Sequence, residues 1–495
     1  MLSHSGQNLP QSAPPHGSGV ADPRYRCGTL VYTKAGLFTL FAWLLWGDFC
    51  FSLMEAVWPN VLPLMLKSNG APDMVLSLVI TTIPCAMNFV MNPIISTISD
   101  RYRSRRGRRM PFLLAATPFI SIFLILLGFS GPLAKHLHRL LSESFPGLSA
   151  ATVTVVYICI IVTIFRFFEL FVNTVFWYLF NDVVPTAFMG RFLGFFRVVG
   201  SLAGALFYFF LFRYAESHTS LIFFAVAVLY GTVFMLMCLN VKEGSYPPPE
   251  VTENRPAAHF STFFRECFGY RIFRLVFAYS AISALAVAVN TFMIFMAFSL
   301  GLTLKDVGQI AGVAGAVGML LMYPMGSLVD RHHPLRIMVA AQAGLCVVVA
   351  GQLIFLFHEF SPDVAFWIYA ALAGVAIPIN VANAAAALPM FMRIFPQDRF
   401  GQFCAANAMC GASASIVGGV LAGAFLGLMK SLCTEGTFYY RFIPLWSLFF
   451  TLLSVWALVR TYCEWKKLGG DSGYRPPLPD RFAALGAPDP RAATS

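Results

Sequence analysis

The sequence predicts an all-α membrane protein, with twelve transmembrane helices arranged as two pseudo-symmetric six-helix bundles. Three observations predict it. Hydrophobic residues make up 58% of the 495-residue chain and charged residues only 12%, whereas ordinary soluble domains carry about 25% charge. Twelve apolar stretches are each long enough to cross the roughly 30 Å of bilayer hydrocarbon. The polar punctuation of the first six stretches recurs in the last six. This composition excludes a soluble multidomain enzyme, a disordered chain and a nucleic-acid-binding protein, because apolar positions in soluble folds alternate with polar ones.

In chain order, residues 1–34 are polar and rich in Pro, Gly and Ser, and lack the apolar core of a signal peptide. They are expected to form a disordered cytosolic tail. Spans at 36–62, 73–98, 111–131, 151–179, 192–212 and 220–240 make a first bundle over residues 35–240. A break at 241–272, carrying Pro247-Pro248-Pro249, reads as a cytosolic linker. Its last stretch, 259–273, alternates Phe with polar residues as a short interfacial helix would. Spans at 273–299, 307–328, 335–357, 364–392, 401–428 and 442–462 make a second bundle over 273–465, and 466–495 is expected to be a second disordered cytosolic tail.

Lys and Arg set the orientation. With the N-terminus inside, 26 of the 34 basic residues fall in inner segments or near the inner ends of spans and 7 in outer loops, with Arg166 alone deep inside a span. By the positive-inside rule both termini are cytosolic, and the net charge of +11 is mostly a topology signal rather than a sign of nucleic-acid binding. All 9 histidines lie outside the spans, and of the 11 cysteines only Cys433 falls in an outer loop. This pattern offers no metal site, no disulfide framework and no catalytic constellation, so no enzyme and no cofactor are expected. The expected setting is the plasma (cytoplasmic) membrane, with lipid and a small-molecule solute as partners of a monomer.

The two halves share their punctuation. Span 2 ends in Ser99-Asp100-Arg101 and span 8 in Val329-Asp330-Arg331. Span 4 ends in Val184-Pro185, followed by Arg191-Phe192 and Gly194; span 10 ends in Phe395-Pro396, followed by Arg399-Phe400-Gly401. The loop after span 2 runs Asp100-Arg101-Tyr102-Arg103-Ser104-Arg105-Arg106-Gly107-Arg108-Arg109-Met110-Pro111-Phe112. It resembles the signature loop of the major facilitator superfamily. In its Asp-Arg-x-x-Ser-x-x-Gly-Arg-Arg-x-Pro-Phe form it is similar to that of the glycoside–pentoside–hexuronide:cation symporters and the proton-coupled sucrose transporters. Ser96 stands where the superfamily usually has Gly.

The resemblance implies two parallel six-helix repeats, with spans 1, 4, 7 and 10 lining a central cavity. It also implies a cytoplasmic latch formed by Asp100, Arg101, Gly107, Arg108, Arg191, Asp330, Arg331 and Arg399, in which Asp100 engages the start of span 11 across the halves when that side is closed.

Ionisable groups at membrane depth are costly and commonly functional. Span 1 holds Asp48 and Glu55, two turns apart on one face. Span 4 holds Arg166 and Glu169, three residues apart, with Asn173 a turn further. Asp48 and Arg166 fall at similar depth and are expected to be partners. Asp48, Glu55, Arg166 and Glu169 are therefore the candidates for cation or proton coupling. A structural Arg166–Glu169 pair and a solvated Glu55 at the outer mouth are the alternatives. Spans 7 and 10 carry neutral amides instead, Asn290, Asn380 and Asn383. With Trp46, Asn173 and Tyr279 these are the candidate solute contacts, the rings offering flat faces and the amides answering hydroxyls. The glycine runs 308–318 and 411–427 would let helices approach closely and slide. The expected function is secondary active transport by alternating access, coupled to H+ or Na+. A sugar or glycoside is the preferred solute on the resemblance; an organic anion, nucleoside or peptide is the alternative, since Arg166 leaves a cavity cation available.

Overall fold

A computed structural model describes residues 23–244, 266–433 and 436–477. Twelve of its helices are long and apolar enough to cross a membrane. They are α1 (Lys34–Ser68), α2 (Asp73–Arg101), α3 (Met110–Gly128), α4 (Ala150–Val183), α5 (Thr186–Tyr214), α6 (Thr219–Asn240), α7 (Arg271–Ser299), α8 (Leu304–Arg331), α9 (Pro334–Phe357), α10 (Pro362–Ile394), α11 (Phe400–Leu432) and α12 (Phe438–Lys467).

Local chemistry fixes where these helices start and stop. Thr33 and Ser149 accept the backbone N–H of Gly36 and Thr152 and so open α1 and α4. Thr303 and Asp306 form a reciprocal capping box at the start of α8. α4 ends at Val184 and α10 at Phe395, both extended because the residue before a proline is driven out of the helical region. The repeated punctuation thus produces the same helix break in both halves.

Within the first half, α3 packs on α4 and α6, and α1 on α5; within the second, α7 packs on α11 and α12, α9 on α10 and α12, and α8 on α10. The halves meet along α2–α11 and α5–α8. Both first-half helices carry a π-helical turn where they cross, at Leu78–Thr82 and Phe207–Leu211, and each turn meets a glycine run. Gly308 faces the Tyr208 carbonyl so closely that an added Cβ would sit 2.6 Å from it, and Gly419 is pressed as tightly against Thr82. These contacts lie toward the end carrying the connections 69–72, 215–218 and 300–303 and the residues Cys433 and Thr437. Toward the opposite end the same helices diverge: Gly190 and Gly194 on α5, Gly326 on α8 and Gly401 and Gly411 on α11 face open space. The molecule is closed at one end and splayed at the other.

Two expectations about the tails need correction. Residues 26–31 are not a free tail but a short antiparallel pair, Cys27 opposite Leu30, whose Cys27 thiol lies 3.5 Å from the Asp182 carbonyl at the end of α4. Residues 466–477 are likewise ordered: α12 runs to Lys467, a helical turn follows at Gly470–Gly473, and the Tyr474 hydroxyl donates to the Ile394 carbonyl at 2.8 Å. In each case a polar-looking segment docks on the end of an inner helix and covers backbone carbonyls there. Residues 1–22, 245–265 and 478–495, which include most of the expected tails and linker, lie outside the described residues.

Candidate functional site

The charged group of the first half is built by α1 and α4. Arg166 and Glu169 share a face of α4 and form an ion pair of 2.5 Å. Glu169 is fully buried, with Arg166 against its carboxyl. The Arg166 guanidinium lies over the Trp58 ring, 4.6 Å from its centroid. The Trp58 indole N–H donates to Glu55 at 3.1 Å, and Glu55 in turn acts directly on the Glu169 carboxyl. Two carboxyl groups thus meet, and one guanidinium pairs with the buried one. Together Glu55, Glu169 and Arg166 hold two acidic groups and one basic group. Arg166 also acts on Cys85 of α2, which is bonded to Ser415 of α11, so the cluster adjoins the seam between the halves.

Asp48 does not pair with Arg166. Shared depth is not shared direction: Asp48 points at α5, where Gly200 leaves room beside its Oδ2. It accepts a hydrogen bond from Ser52 at 3.2 Å, and the cation acting on it is Arg197. Arg197 lies inside α5, so Arg166 is not the only basic residue within a span. The sequence places it near the inner end of the span at 192–212, where it counts with the inner basic residues.

In the second half, Tyr279, Asn290, Asn380 and Asn383 line one cavity of about 300 Å³ with Ser283, Gln342, Gln352, Ser447 and Thr451, and none of the residues lining it is charged. α7 makes this possible by breaking: its α-helix stops at Val287 and resumes at Met293 through a tight turn at Asn290–Phe292. The Leu285 carbonyl at the break accepts the Trp446 indole N–H from α12 at 2.9 Å, which meets the requirement that backbone groups at membrane depth be satisfied. The Tyr279 hydroxyl meets the side chains of Ser283 and Asn383 at this cavity. Four of the six expected solute contacts therefore come together. Trp46 is 51% exposed and stacked on Phe49, and Trp46 and Asn173 do not line this cavity. Gln342 and Gln352 escape a search confined to spans 1, 4, 7 and 10 because α9 brings them in from the side.

At the splayed end, Arg108 holds Asp182 with two hydrogen bonds, 2.9 and 2.5 Å. Arg109 bonds Asp182, Ser99 and Asp100 and packs over Tyr178. Asp100 thus engages its own half here. Glu243, just past α6, accepts the backbone N–H groups of Arg108, Arg109 and Met110 and so caps α3. Burial pushes its carboxyl above the usual carboxylate range in spite of these bonds. Gly107 has a φ of +105°, and a Cβ there would strike Glu243. Arg399 pairs with Glu266 at 2.5 Å, Arg191 lies 5.9 Å from the Phe188 ring centroid, and Arg101, Asp330 and Arg331 are exposed. The second half repeats the scheme, with Asp471 after α12 pairing with Arg336 in the first turn of α9 at 2.5 Å. Asp182 is missed by a search for latch residues, although an acidic group among inner arginines is the signal that marks Asp100.

At the closed end, Lys67 donates to Asp73 at 2.6 Å, and Tyr439 and Tyr440 of α12 donate to the same carboxylate at 2.8 and 2.7 Å. Nothing in the spacing of these residues brings them together; only the fold does.

No curated protein matches the chain. A family described as MFS/sugar transport protein matches residues 46–430. The fold is similar to that of the nucleoside transporter NupG, crystallised as a point mutant (TM-score 0.63, 10% identity, 86% of this chain and 100% of that one). It is similar to that of a D-xylose–proton symporter (TM-score 0.61, 12% identity, 85% and 97%), and to that of a bacterial homologue of the iron transporter ferroportin in its outward-facing state (TM-score 0.52, 13% identity, 85% and 99%). At these identities the likeness is one of fold.

Proposed function

Since the chain belongs to the MFS/sugar transport protein family, we propose that it is a secondary active transporter that moves a sugar or glycoside by alternating access, with a proton as the coupling ion. The observation that carries the solute class is the second-half cavity. It presents amides, hydroxyls and one tyrosine ring, and no charge to hold an organic anion. Hydroxyl-rich neutral solutes match such a lining, since each buried amide and hydroxyl left unpaired is costly.

The coupling site in this reading is the Glu55–Glu169 pair beside Arg166. The guanidinium already occupies the cationic place next to Glu169, which favours a proton over Na+. Protonation removes the excess charge and so lowers the desolvation penalty of closing the two halves over the cluster. The cluster's link to the α2–α11 seam through Cys85 and Ser415 gives that change a route to the interface. With both termini cytosolic, in the plasma membrane, the splayed end opens inward. Closure there would bring Asp100 toward the start of α11, and the tight glycine contacts at the other end would serve as the pivot.

A thermal-unfolding screen of the purified protein against sugars, nucleosides and organic acids tests the solute class. A neutral sugar at about 100 times its Kd stabilises by about 2.7 kcal/mol, and Asn383→Ala is expected to remove that gain. Stabilisation by a nucleoside or an organic anion, with none by any sugar, would overturn this reading.

A further inference from the structure

Beside the loop that caps α3, a second cavity of about 320 Å³ opens between the start of α3 and the end of α6. Arg105, Arg106 and Lys242 line it, over a floor of Met110, Cys238 and Leu239. The arginines of this loop are sorted. Arg108 and Arg109 turn inward onto Asp182 and Asp100, whereas Arg105, Arg106 and Lys242 are exposed and enter no ion pair among the described residues. Glu243 also lines the cavity, but its oxygens are engaged by three backbone N–H groups. Among the described residues the site therefore offers three unmatched cations and no competing free carboxylate.

The apolar floor continues along α6, where Leu236 is 48% and Leu239 53% exposed. The cavity sits where two membrane-spanning helices end, so its charged rim lies at the level of lipid headgroups and its apolar side at the level of acyl chains. We propose that it binds an anionic phospholipid, the headgroup phosphate held by Arg105, Arg106 and Lys242 and the acyl chain lying along Leu239 and Leu236. The continuing apolar wall selects a lipid over a free phosphate, which would gain nothing from it. A lipid seated there clamps the loop that carries the partners of Asp100 and Asp182, and through it biases the splayed end. This inference rests on the membrane-spanning fold and is independent of the solute.

The test is native mass spectrometry of the full chain released from nanodiscs of phosphatidylcholine mixed with phosphatidylserine. The wild type is expected to retain phosphatidylserine in preference. Each cation removed should weaken retention about fivefold, the equivalent of about 1 kcal/mol per basic residue at an anionic membrane surface. R105Q/R106Q/K242Q should lose the preference, and Lys242→Gln alone should weaken it by one such step if the triple variant fails to fold. R274Q/K466Q/R475Q, with the same charge removed elsewhere, should behave as wild type. Unchanged retention in the Arg105, Arg106 and Lys242 variants would overturn the proposal, as would equal loss in the control. Displacement of the lipid by inorganic phosphate would assign the cavity to a soluble anion instead.

Discussion

The Asp73 carboxylate accepts a hydrogen bond of 2.7 Å from the Tyr440 hydroxyl, and this bond runs from the first six-helix half to the second. Asp73 is 5% exposed and also receives Lys67 and Tyr439. Hydrogen bonds to a charged group are worth about 1.5–3 kcal/mol, so Tyr440→Phe should cost the closed end that much. Asp73→Asn should cost more, because it strands Lys67. Hydrogen exchange across residues 69–78 and 436–442 should rise in both variants. Unchanged exchange would show that the glycine contacts alone hold this end shut.

Arg166 pairs with Glu169, which is fully buried and has the Glu55 carboxyl acting on it as well. Removing one partner of a buried pair typically costs about 3–5 kcal/mol. Arg166→Ala should therefore lower the melting temperature far more than Glu169→Gln, and the double variant Arg166→Gln with Glu169→Gln should recover most of the loss. A wild-type melting temperature for Arg166→Ala would mean that the carboxyl groups are already neutral without it.

Gly107 combines a left-handed φ of +105° with the close approach of Glu243. Gly107→Ala should destabilise by about 1–3 kcal/mol from the backbone conformation alone. It should also release the cap on α3, seen as faster exchange at the amides of Arg108, Arg109 and Met110. An alanine variant with wild-type exchange would place the cap's strength in the Arg108–Asp182 pair instead.

His333 gives a pH dependence. Its Nδ1 accepts the Leu335 N–H at 3.3 Å, and its ring lies 4.2 Å from that of Trp465. Burial, helped by Arg393 and Arg336 against an opposing Asp471, pulls the imidazole down from 6.5 to about 4. The unfolded chain therefore binds a proton between these values while the folded chain does not. Stability is full above 6.5 and falls as the pH drops toward 4. His333→Asn keeps an N-cap acceptor but cannot titrate, so its melting temperature should fall less between neutral and mildly acidic pH. Parallel losses in the two proteins would contradict this.

Helix number, the α4 and α10 breaks and the repeat were legible in the sequence because each follows from local chemistry: apolar length, or a proline. The gathering of Tyr279, Asn290, Asn380 and Asn383 was legible for a related reason, since polar residues in apolar spans are few enough to point at one another. What was not legible depends on direction and long-range closure. Asp48 faces Arg197 rather than Arg166 because neighbouring helices set its direction. Glu243 reaches Arg108 across 135 positions, and Asp73 reaches Tyr440 across 367. No periodicity encodes such distances. The docked segments at 26–31 and 466–477 were hidden for another reason: short polar stretches that cover helix ends look like any tail until the helix end is in place.

The central claim is that a proton held by the Glu55–Glu169 pair drives uphill movement of a neutral sugar. The most direct measurement is sugar uptake into proteoliposomes under an imposed proton gradient, comparing wild type with Glu169→Gln. The wild type should concentrate the sugar above its outside level. The variant should only equilibrate it, while keeping exchange of labelled for unlabelled sugar. Accumulation by Glu169→Gln at the wild-type level, or a wild type driven by a Na+ gradient and indifferent to protons, would contradict the account.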